Sequence, residues 1–392
     1  YAGGTSMGYD DLYWFEHYTS SFGTEAQLRS LIQTYKANGI GTIADVVINH
    51  RKTTTGWFTF PTETYKGVTY HLLPSDIVAN DDGGKTKAQA TTEGVTLSTN
   101  NDSGEGWDGM RDLDHYSTNV QNNVKAYLDL LQNDLGYVGF RYDMVKGYSG
   151  SFTGMYNSYA NPVYSVGEYW DGNAATVKNW IDATKVNGNI QSAAFDFPFR
   201  YTVRDAVNNA NWANLGNTSV MADANYRRWA VTFVENHDTE YRSSASPQDP
   251  IKKDTLAANA FMLAMPGTPC IFYKHWLSYE NELKAMIEAR KAVGINNQST
   301  YTNFRSAAGY YANTVSGTNG DLLVVVGDVN GVAVSSSRWV KVVSGYHYAY
   351  YFRPSQETAW AGMASGSYPG SSHSVPLTAV SATTYAQLVY TT

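Results

Sequence analysis

From about residue 20 to 295, short apolar runs of strand length alternate with amphipathic stretches, the pattern of an α/β protein built on parallel strands. Thr24-Glu25-Ala26-Gln27 has capping-box spacing, and Leu28, Leu31, Ile32 and Tyr35 follow at i, i+3, i+4 and i+7. A first helix is therefore expected, with these side chains on its inward face and Gly39 at its end. A strand is expected over 40–48. A second helix carries Val120, Val124, Tyr127, Leu128 and Leu131 on one face and closes at Gly136. Strands over 138–142, 163–167, 190–197, 230–234 and 269–273 bring the count to six.

Between His50 and Tyr116 the helical pattern lapses into a stretch rich in Thr, Gly, Asp and Asn, with short β-like pieces such as Gly67-Val68-Thr69-Tyr70. A loop that long in a compact domain is usually functional. Beyond about residue 295 the helical signals stop, and 322–326, 332–334, 339–343 and 346–352 read as antiparallel strands of a small β domain. The expected organisation is a catalytic unit over 1–295 with an inserted loop domain over 51–116, a β-sheet domain over 296–352, and a Ser/Gly/Thr-rich linker entering a further β module over 353–392.

Composition narrows the chemistry. The 28 Lys and Arg against 35 Asp and Glu make the chain mildly acidic, which argues against a nucleic-acid partner. Charged residues are only 16% of the chain, whereas Tyr, Trp and Phe are 14%, with 31 tyrosines. Flat rings stack on the apolar faces of sugars, so the composition leans toward carbohydrate, although a Tyr-rich extracellular β domain would look the same. The single cysteine, Cys270, excludes an intramolecular disulfide. Its place in Pro269-Cys270-Ile271-Phe272-Tyr273 reads as a small buried core residue rather than a catalytic thiol. Neither a membrane-spanning run nor a leader is apparent, a pattern that a mature or trimmed secreted protein shares.

Four segments end an apolar run with polar groups: Ala44-Asp45-Val46-Val47-Ile48-Asn49-His50, Gly139-Phe140-Arg141-Tyr142-Asp143-Met144-Val145-Lys146-Gly147, Ser165-Val166-Gly167-Glu168-Tyr169-Trp170 and Phe233-Val234-Glu235-Asn236-His237-Asp238-Thr239. In a (β/α)8 barrel the site forms at the C-terminal ends of the strands, so three carboxylates at three strand ends point to one mouth. Asp143 and Glu168 are 25 residues apart, about one helix plus one strand. That spacing puts them at the ends of adjacent strands about 4.8 Å apart. It suits the roughly 5 to 5.5 Å separation of a retaining glycosidase, where one carboxylate attacks the anomeric carbon and the other protonates the leaving oxygen. A lone strand-end Asp is more often a helix cap, and a lone His-Asp such as His237-Asp238 is weaker still. Their occurrence together is what signals a site.

In this order the four segments resemble the signature regions of the α-amylase family of glycoside hydrolases, and the wording around Asp143 is most similar to the plant-type and related bacterial members. The resemblance runs from about Tyr1 to Phe352. It implies a (β/α)8 barrel acting on starch and α-1,4-gluco-oligosaccharides, with Asp143 as nucleophile, Glu168 as general acid/base and Asp238 as the third carboxylate, which holds sugar hydroxyls. Arg141, two residues before Asp143, would keep that carboxylate ionised. His50 and His237 match sugar-binding histidines, Lys146 a residue on the leaving-group side, and Asp45 a structural aspartate. Tyr9, in Gly8-Tyr9, matches a ring that stacks under the sugar, though it is also one tyrosine among many.

The resemblance further implies Ca²⁺, a hard cation that takes six to eight oxygens. Asn49 is the matching ligand from the barrel. Asp102 and Asp112, ten residues apart, meet the plant-type loop pattern, with backbone carbonyls expected from Glu105 and Gly147. The alternative for Asn101-Asp102-Ser103-Gly104 is a solvated turn.

Six strands are two short of the family's eight, because Gly8-Tyr9 corresponds to the loop after strand two. A barrel lacking its first two strands in this chain, and truncation at both ends, are expected. An endo-acting, secreted, cell-surface or periplasmic hydrolase that works as a monomer away from nucleic acid and membrane is the leading expectation. A transglycosylase sharing the covalent intermediate and a non-catalytic starch-binding protein are the alternatives.

Overall fold

The computed structural model describes residues 8–355, so the module expected over 353–392 falls almost wholly outside the described residues. The chain forms two units, Tyr1–Trp170 with Thr176–Phe195, and Asp171–Ala175 with Asp196–Thr392.

In the first unit, helix α1 (Glu25–Ala37) begins with the expected capping box: Gln27 N–H donates to Thr24 Oγ1, and Thr24 N–H donates to Gln27 Oε1. Its inward face is narrower than its periodicity predicts, since Ile32 is buried while Leu31 and Tyr35 are exposed. Periodicity tells which residues share a face, not whether a neighbour covers it. Strand β1 (Ile43–Val46) is shorter than the apolar run 40–48. Val47 and Ile48 are buried yet leave the ladder, as the chain turns into β2 (His50–Arg51).

The long stretch after β2 holds a hairpin, β3 (Thr62–Tyr65) and β4 (Val68–His71), joined at Lys66-Gly67 with both residues at positive φ, and a helix α2 (Lys85–Glu93). Nothing in the apolar pattern announces α2, because it buries only Thr86 and Ala90. Strand β5 (Arg111–Asp112) pairs antiparallel with β2, His50 opposite Asp112. Buried charges hold this stretch in place. Glu63 accepts from the N–H groups of Trp14 (3.0 Å) and Phe15 (2.8 Å) and pairs with Arg51. Arg111 pairs with Asp81 and, at 2.6 Å, with Asp82.

Helix α3 (Thr118–Asp129) buries Val120, Val124, Tyr127 and Leu128 as expected; Leu131 is buried in the π-helical turn that follows, closed by Gly136 at φ 93°. Then come β6 (Gly139–Tyr142), α4 (Gly150–Ala160), β7 (Tyr164–Gly167), α5 (Ala174–Ala183) and β8 (Ala193–Phe195). Strands β1, β6, β7 and β8 pair in parallel, with Asp45 opposite Arg141 and Arg141 opposite Val166. The ends of β1, β6 and β7 therefore deliver Asn49, Asp143 and Glu168 to the same side of one sheet.

The second unit contains α6 (Phe197–Asn209), β9 (Ala230–Thr232), α7 (Thr255–Ala264), β10 (Thr268–Pro269), α8 (Tyr273–Ser278) and α9 (Glu280–Val293). Strand β10 runs parallel to β9. The strand expected over 269–273 stops at Pro269, and Tyr273 already begins a helix. Cys270 is exposed rather than buried; it lies one residue past the last ladder pair, with its N–H still donating to the Thr232 carbonyl of β9 at 2.8 Å.

A five-stranded antiparallel sheet follows: β11 (Thr300–Ala307), β12 (Tyr310–Ser316), β13 (Gly320–Gly327), β14 (Val340–Gly345) and β15 (Tyr348–Pro354), in the order β11-β12-β13-β15-β14. Sequence reading missed the β11 and β12 hairpin, since β11 is mostly polar and exposed. The strand expected over 332–334 is instead loop after a 3₁₀ turn, with Val332 filling the core beside Leu323, Val325, Trp339 and Ala349.

Candidate active site

Parallel pairing of β6 with β7 puts Asp143 and Glu168 one residue past their strand ends, and Arg141 binds both. Its Nη1 donates to Asp143 Oδ1 at 2.6 Å and to Asp45 Oδ1 at 2.7 Å, and its Nη2 lies 2.8 Å from Glu168 Oε1. The Met144 N–H donates to Glu168 Oε2 at 3.2 Å. Asp143, Glu168 and Arg141 are all buried.

One guanidinium serves three carboxylates, and this sets the electrostatics. Burial works against the charge of Arg141, but Asp45, Glu168 and Asp143 hold its pKa above the ordinary value. Burial pushes the Asp143 carboxyl up to about 8; Arg141 pulls it down and Glu168 raises it further. Arg141 thus contacts Asp143 and favours its ionised form, while desolvation and Glu168 oppose it, so the proton retained by the two carboxyls belongs to the pair.

Tyr9 and His50 join this group. The Tyr9 hydroxyl donates to Asp45 Oδ2 at 2.8 Å, and its ring lies 5.6 Å from the Arg141 guanidinium carbon. His50 stacks on Trp107 at 4.4 Å; its Nδ1 accepts from the Asn49 amide at 3.3 Å, which leaves the Nε2 proton for the Tyr9 carbonyl, also at 3.3 Å. Burial lowers its pKa to about 4, so the ring is a neutral hydrogen-bonding group at neutral pH. Lys146 pairs with Glu105 at 2.9 Å and sits over the Tyr169 ring.

In the second unit, His237 and Asp238 follow the end of β9. Asp238 N–H and Thr239 N–H both donate to Asn236 Oδ1, forming a tight turn. The Asp238 carboxylate contacts His237 Nε2 at 3.1 Å and Arg242 Nη2 at 2.9 Å. Burial opposes its charge, but these two partners hold it below the usual carboxylate range. Arg242, four residues after Asp238, was not anticipated; an i,i+4 cation beside a strand-end Asp is the signal that could have found it.

The oxygen-bearing residues of the loop also converge. Asn49 donates to Asp112 Oδ1 at 3.2 Å, Glu105 N–H donates to the Lys146 carbonyl at 2.7 Å, and Ser149 N–H donates to Ser103 Oγ at 2.9 Å. Two glycines make this close approach possible. A Cβ on Gly147 would stand 1.9 Å from Asn49 Oδ1, and one on Gly104 would stand 2.2 Å from the Lys146 carbonyl oxygen. Asp102 Oδ2 is buried with no hydrogen-bond partner. Burial raises Asp112 to about 8 and Asp102 to about 6, each also raised by neighbouring carboxylates. No cluster of three His, Cys, Asp or Glu side chains able to hold a metal occurs among the described residues. The two carboxylates and the Asn49 amide are instead oxygen donors of the kind that fits a hard cation.

Residues 4–313 match the family model for the α-amylase catalytic domain. The chain is 29% identical over 351 residues to a probable α-amylase 2 of Arabidopsis thaliana, covering 84% of this chain and 79% of that protein. It is 26% identical over 325 residues to the chloroplastic α-amylase 3 of the same plant, covering 77% of this chain but 34% of that longer protein. A crystal structure of an α-amylase from Anoxybacillus superposes with a TM-score of 0.60 at 15% identity, over 85% of this chain and 80% of that one, which supports the (β/α)8 barrel class with a C-terminal β domain. With the family model covering most of its length, the chain belongs to the α-amylase family of glycoside hydrolases.

Proposed function

We propose that this chain hydrolyses internal α-1,4-glucosidic bonds of starch and related glucans with retention of configuration. The observation that carries this reading is the shared guanidinium: Asp143 and Glu168, from adjacent parallel strands, reach the two Nη atoms of Arg141 at 2.6 and 2.8 Å. Two carboxyls that face one cation from adjacent strand ends support a closely spaced pair, the arrangement of a retaining rather than an inverting enzyme.

In this mechanism Asp143 attacks the anomeric carbon and Glu168 protonates the departing glycosidic oxygen; Glu168 then takes a proton from the water that releases the sugar. The pair needs one proton between them at neutral pH. Burial of Asp143 against Glu168 supports that, since two close carboxyls in a desolvated site resist ionising together. Asp238, held ionised by His237 and Arg242, would bind sugar hydroxyls and favour the ring distortion of the oxocarbenium-like state. Tyr9 would stack under the sugar, His50 and His237 would bind its hydroxyls, and Lys146 would contact the leaving-group side.

Asn49, Asp102 and Asp112, with carbonyls of Glu105 and Gly147, would hold Ca²⁺. A bound ion would neutralise the loop carboxylates and fasten the loop to the strand ends that carry the dyad.

The test is the anomeric configuration of the first product. Proton NMR during digestion of a maltooligosaccharide should show the α-anomer appearing first, with mutarotation later. Initial release of the β-anomer would overturn the retaining assignment.

A further inference from the structure

The chain from Asn236 to Pro250 leaves the end of β9 and returns to the core, and one carboxylate holds both of its ends. Glu235, buried just before this loop, accepts from the N–H of Ile251, just after it, at 2.7 Å. Its other oxygen, Oε2, lies 3.1 Å from Nε2 of His275, a buried residue of α8. Nδ1 of that ring lies 3.2 Å from the Asn259 amide nitrogen, which also donates to the Thr255 carbonyl at 2.9 Å within α7. Because the amide donates in both directions, Nδ1 is an acceptor and the His275 proton sits on Nε2, aimed at Glu235.

Between the two clamped ends, the loop carries the third carboxylate and its partners. Thr239 Oγ1 accepts from Asn236 N–H at 3.0 Å, and Arg242 spans the His237 carbonyl (2.6 Å) and Asp238 Oδ1 (2.9 Å). Near its far end Asp249 pairs with Arg200 and Arg204 of α6. Burying a carboxylate, an imidazole and an amide in one line is costly unless each is satisfied, so such a line usually specifies a geometry.

We propose that Glu235, oriented by His275 and Asn259, is a positioning residue: it closes the 236–250 loop and thereby sets the Asp238 carboxylate. Without the clamp the ends of the loop separate, and Asp238 shifts relative to the turn that holds it. Misplacement of about 1 Å at a reacting group can cost about 100-fold in rate. This inference rests on the role proposed above for Asp238.

The test compares three variants on soluble starch, at temperatures well below the melting point of each. His275→Phe keeps a buried ring but removes the donor to Glu235; it should lower kcat by about 10- to 100-fold with KM within about 3-fold, the signature of an interaction used in the transition state. His275→Gln, which restores an N–H at similar reach, should return kcat to within about 3-fold of the parent. A kcat in His275→Phe within about 2-fold of the parent, despite a lower melting temperature, would reduce the clamp to a stabilising contact and overturn the proposal. So would His275→Gln being as slow as His275→Phe. If His275→Phe does not fold, Asn259→Leu, which leaves the His275 tautomer unset, is read against the same kcat criterion. Asp238→Asn, run in parallel, separates the two readings: unchanged hydrolysis there would sink the role of Asp238 itself, whereas a slow Asp238→Asn beside a fast His275→Phe would sink only the clamp.

Discussion

Arg141 donates from Nη1 to Oδ1 of Asp143 at 2.6 Å, two residues further along the same strand end and on the same face. The guanidinium's other arm reaches Glu168 on the next strand, so the spacing of the two carboxyls is set by a planar, rigid fork rather than by flexible side chains. Asp45 takes a further share of the same charge. The dyad is thus held in place yet under-neutralised, a combination that leaves one proton in the pair.

Replacement of either member should therefore abolish chemistry while sparing the fold. Asp143→Asn and Glu168→Gln are each expected to lower kcat on soluble starch by about 1,000-fold or more. Circular dichroism should be unchanged. Near-normal turnover in Glu168→Gln would refute its assignment as the acid.

The raised Asp143 carboxyl also predicts a pH-dependent stability. The unfolded chain releases this proton near pH 4, whereas in the folded chain burial beside Glu168 lets the Asp143 and Glu168 pair hold one proton up to about pH 8. Across that window the folded state binds more protons, so stability falls as pH rises from about 4 to about 8. Asp143→Asn removes this penalty. Its melting temperature relative to the parent should climb by several degrees between about pH 5 and about pH 8 at fixed calcium. A difference that stays flat or shrinks would show that burial does not hold the proton.

Calcium should act on stability by mass action. Excess chelator is expected to lower the melting temperature, readdition of Ca²⁺ to restore it, and Asp112→Asn to blunt the response. At a free concentration about 1,000 times the dissociation constant, the ion would contribute about 4 kcal/mol. An identical transition with and without chelator, in metal-free protein, would remove the site.

The Arg51 and Glu63 pair is almost wholly buried, and Glu63 also receives the N–H groups of Trp14 and Phe15. Glu63→Ala leaves a buried guanidinium and two amides without their acceptor, at an expected cost of about 3 to 5 kcal/mol. Urea unfolding reads this directly. The double variant Arg51→Met with Glu63→Leu should lose much less, because no charge is then stranded.

Local sequence determined the parts whose physics is local. Alternation of apolar runs with amphipathic stretches specified parallel strands at β1, β6, β7, β8 and β9, and the capping box at Thr24 and the stripe from Val120 to Leu128 specified helices. Strand-end placement of Asp143 and Glu168 was legible too, since their 25-residue spacing leaves room for little but one helix and one strand. Helix α2 and the β11 and β12 hairpin were not, because α2 buries only Thr86 and Ala90 and β11 is mostly polar and exposed, so neither carries an apolar stripe. Only the tertiary structure could decide the charge balance around Arg141: a single cation two residues from Asp143 reads as a stabiliser of its ionised form, and the fold adds Asp45 and Glu168, from separate strands, as sharers of that charge. The clamp of Glu235, His275 and Asn259 is assembled from three distant stretches, and Asp102 and Asp112 become a buried oxygen set only where Gly104 and Gly147 let the backbones meet. Burial and charge sharing depend on groups far apart in sequence, so no local pattern encodes them.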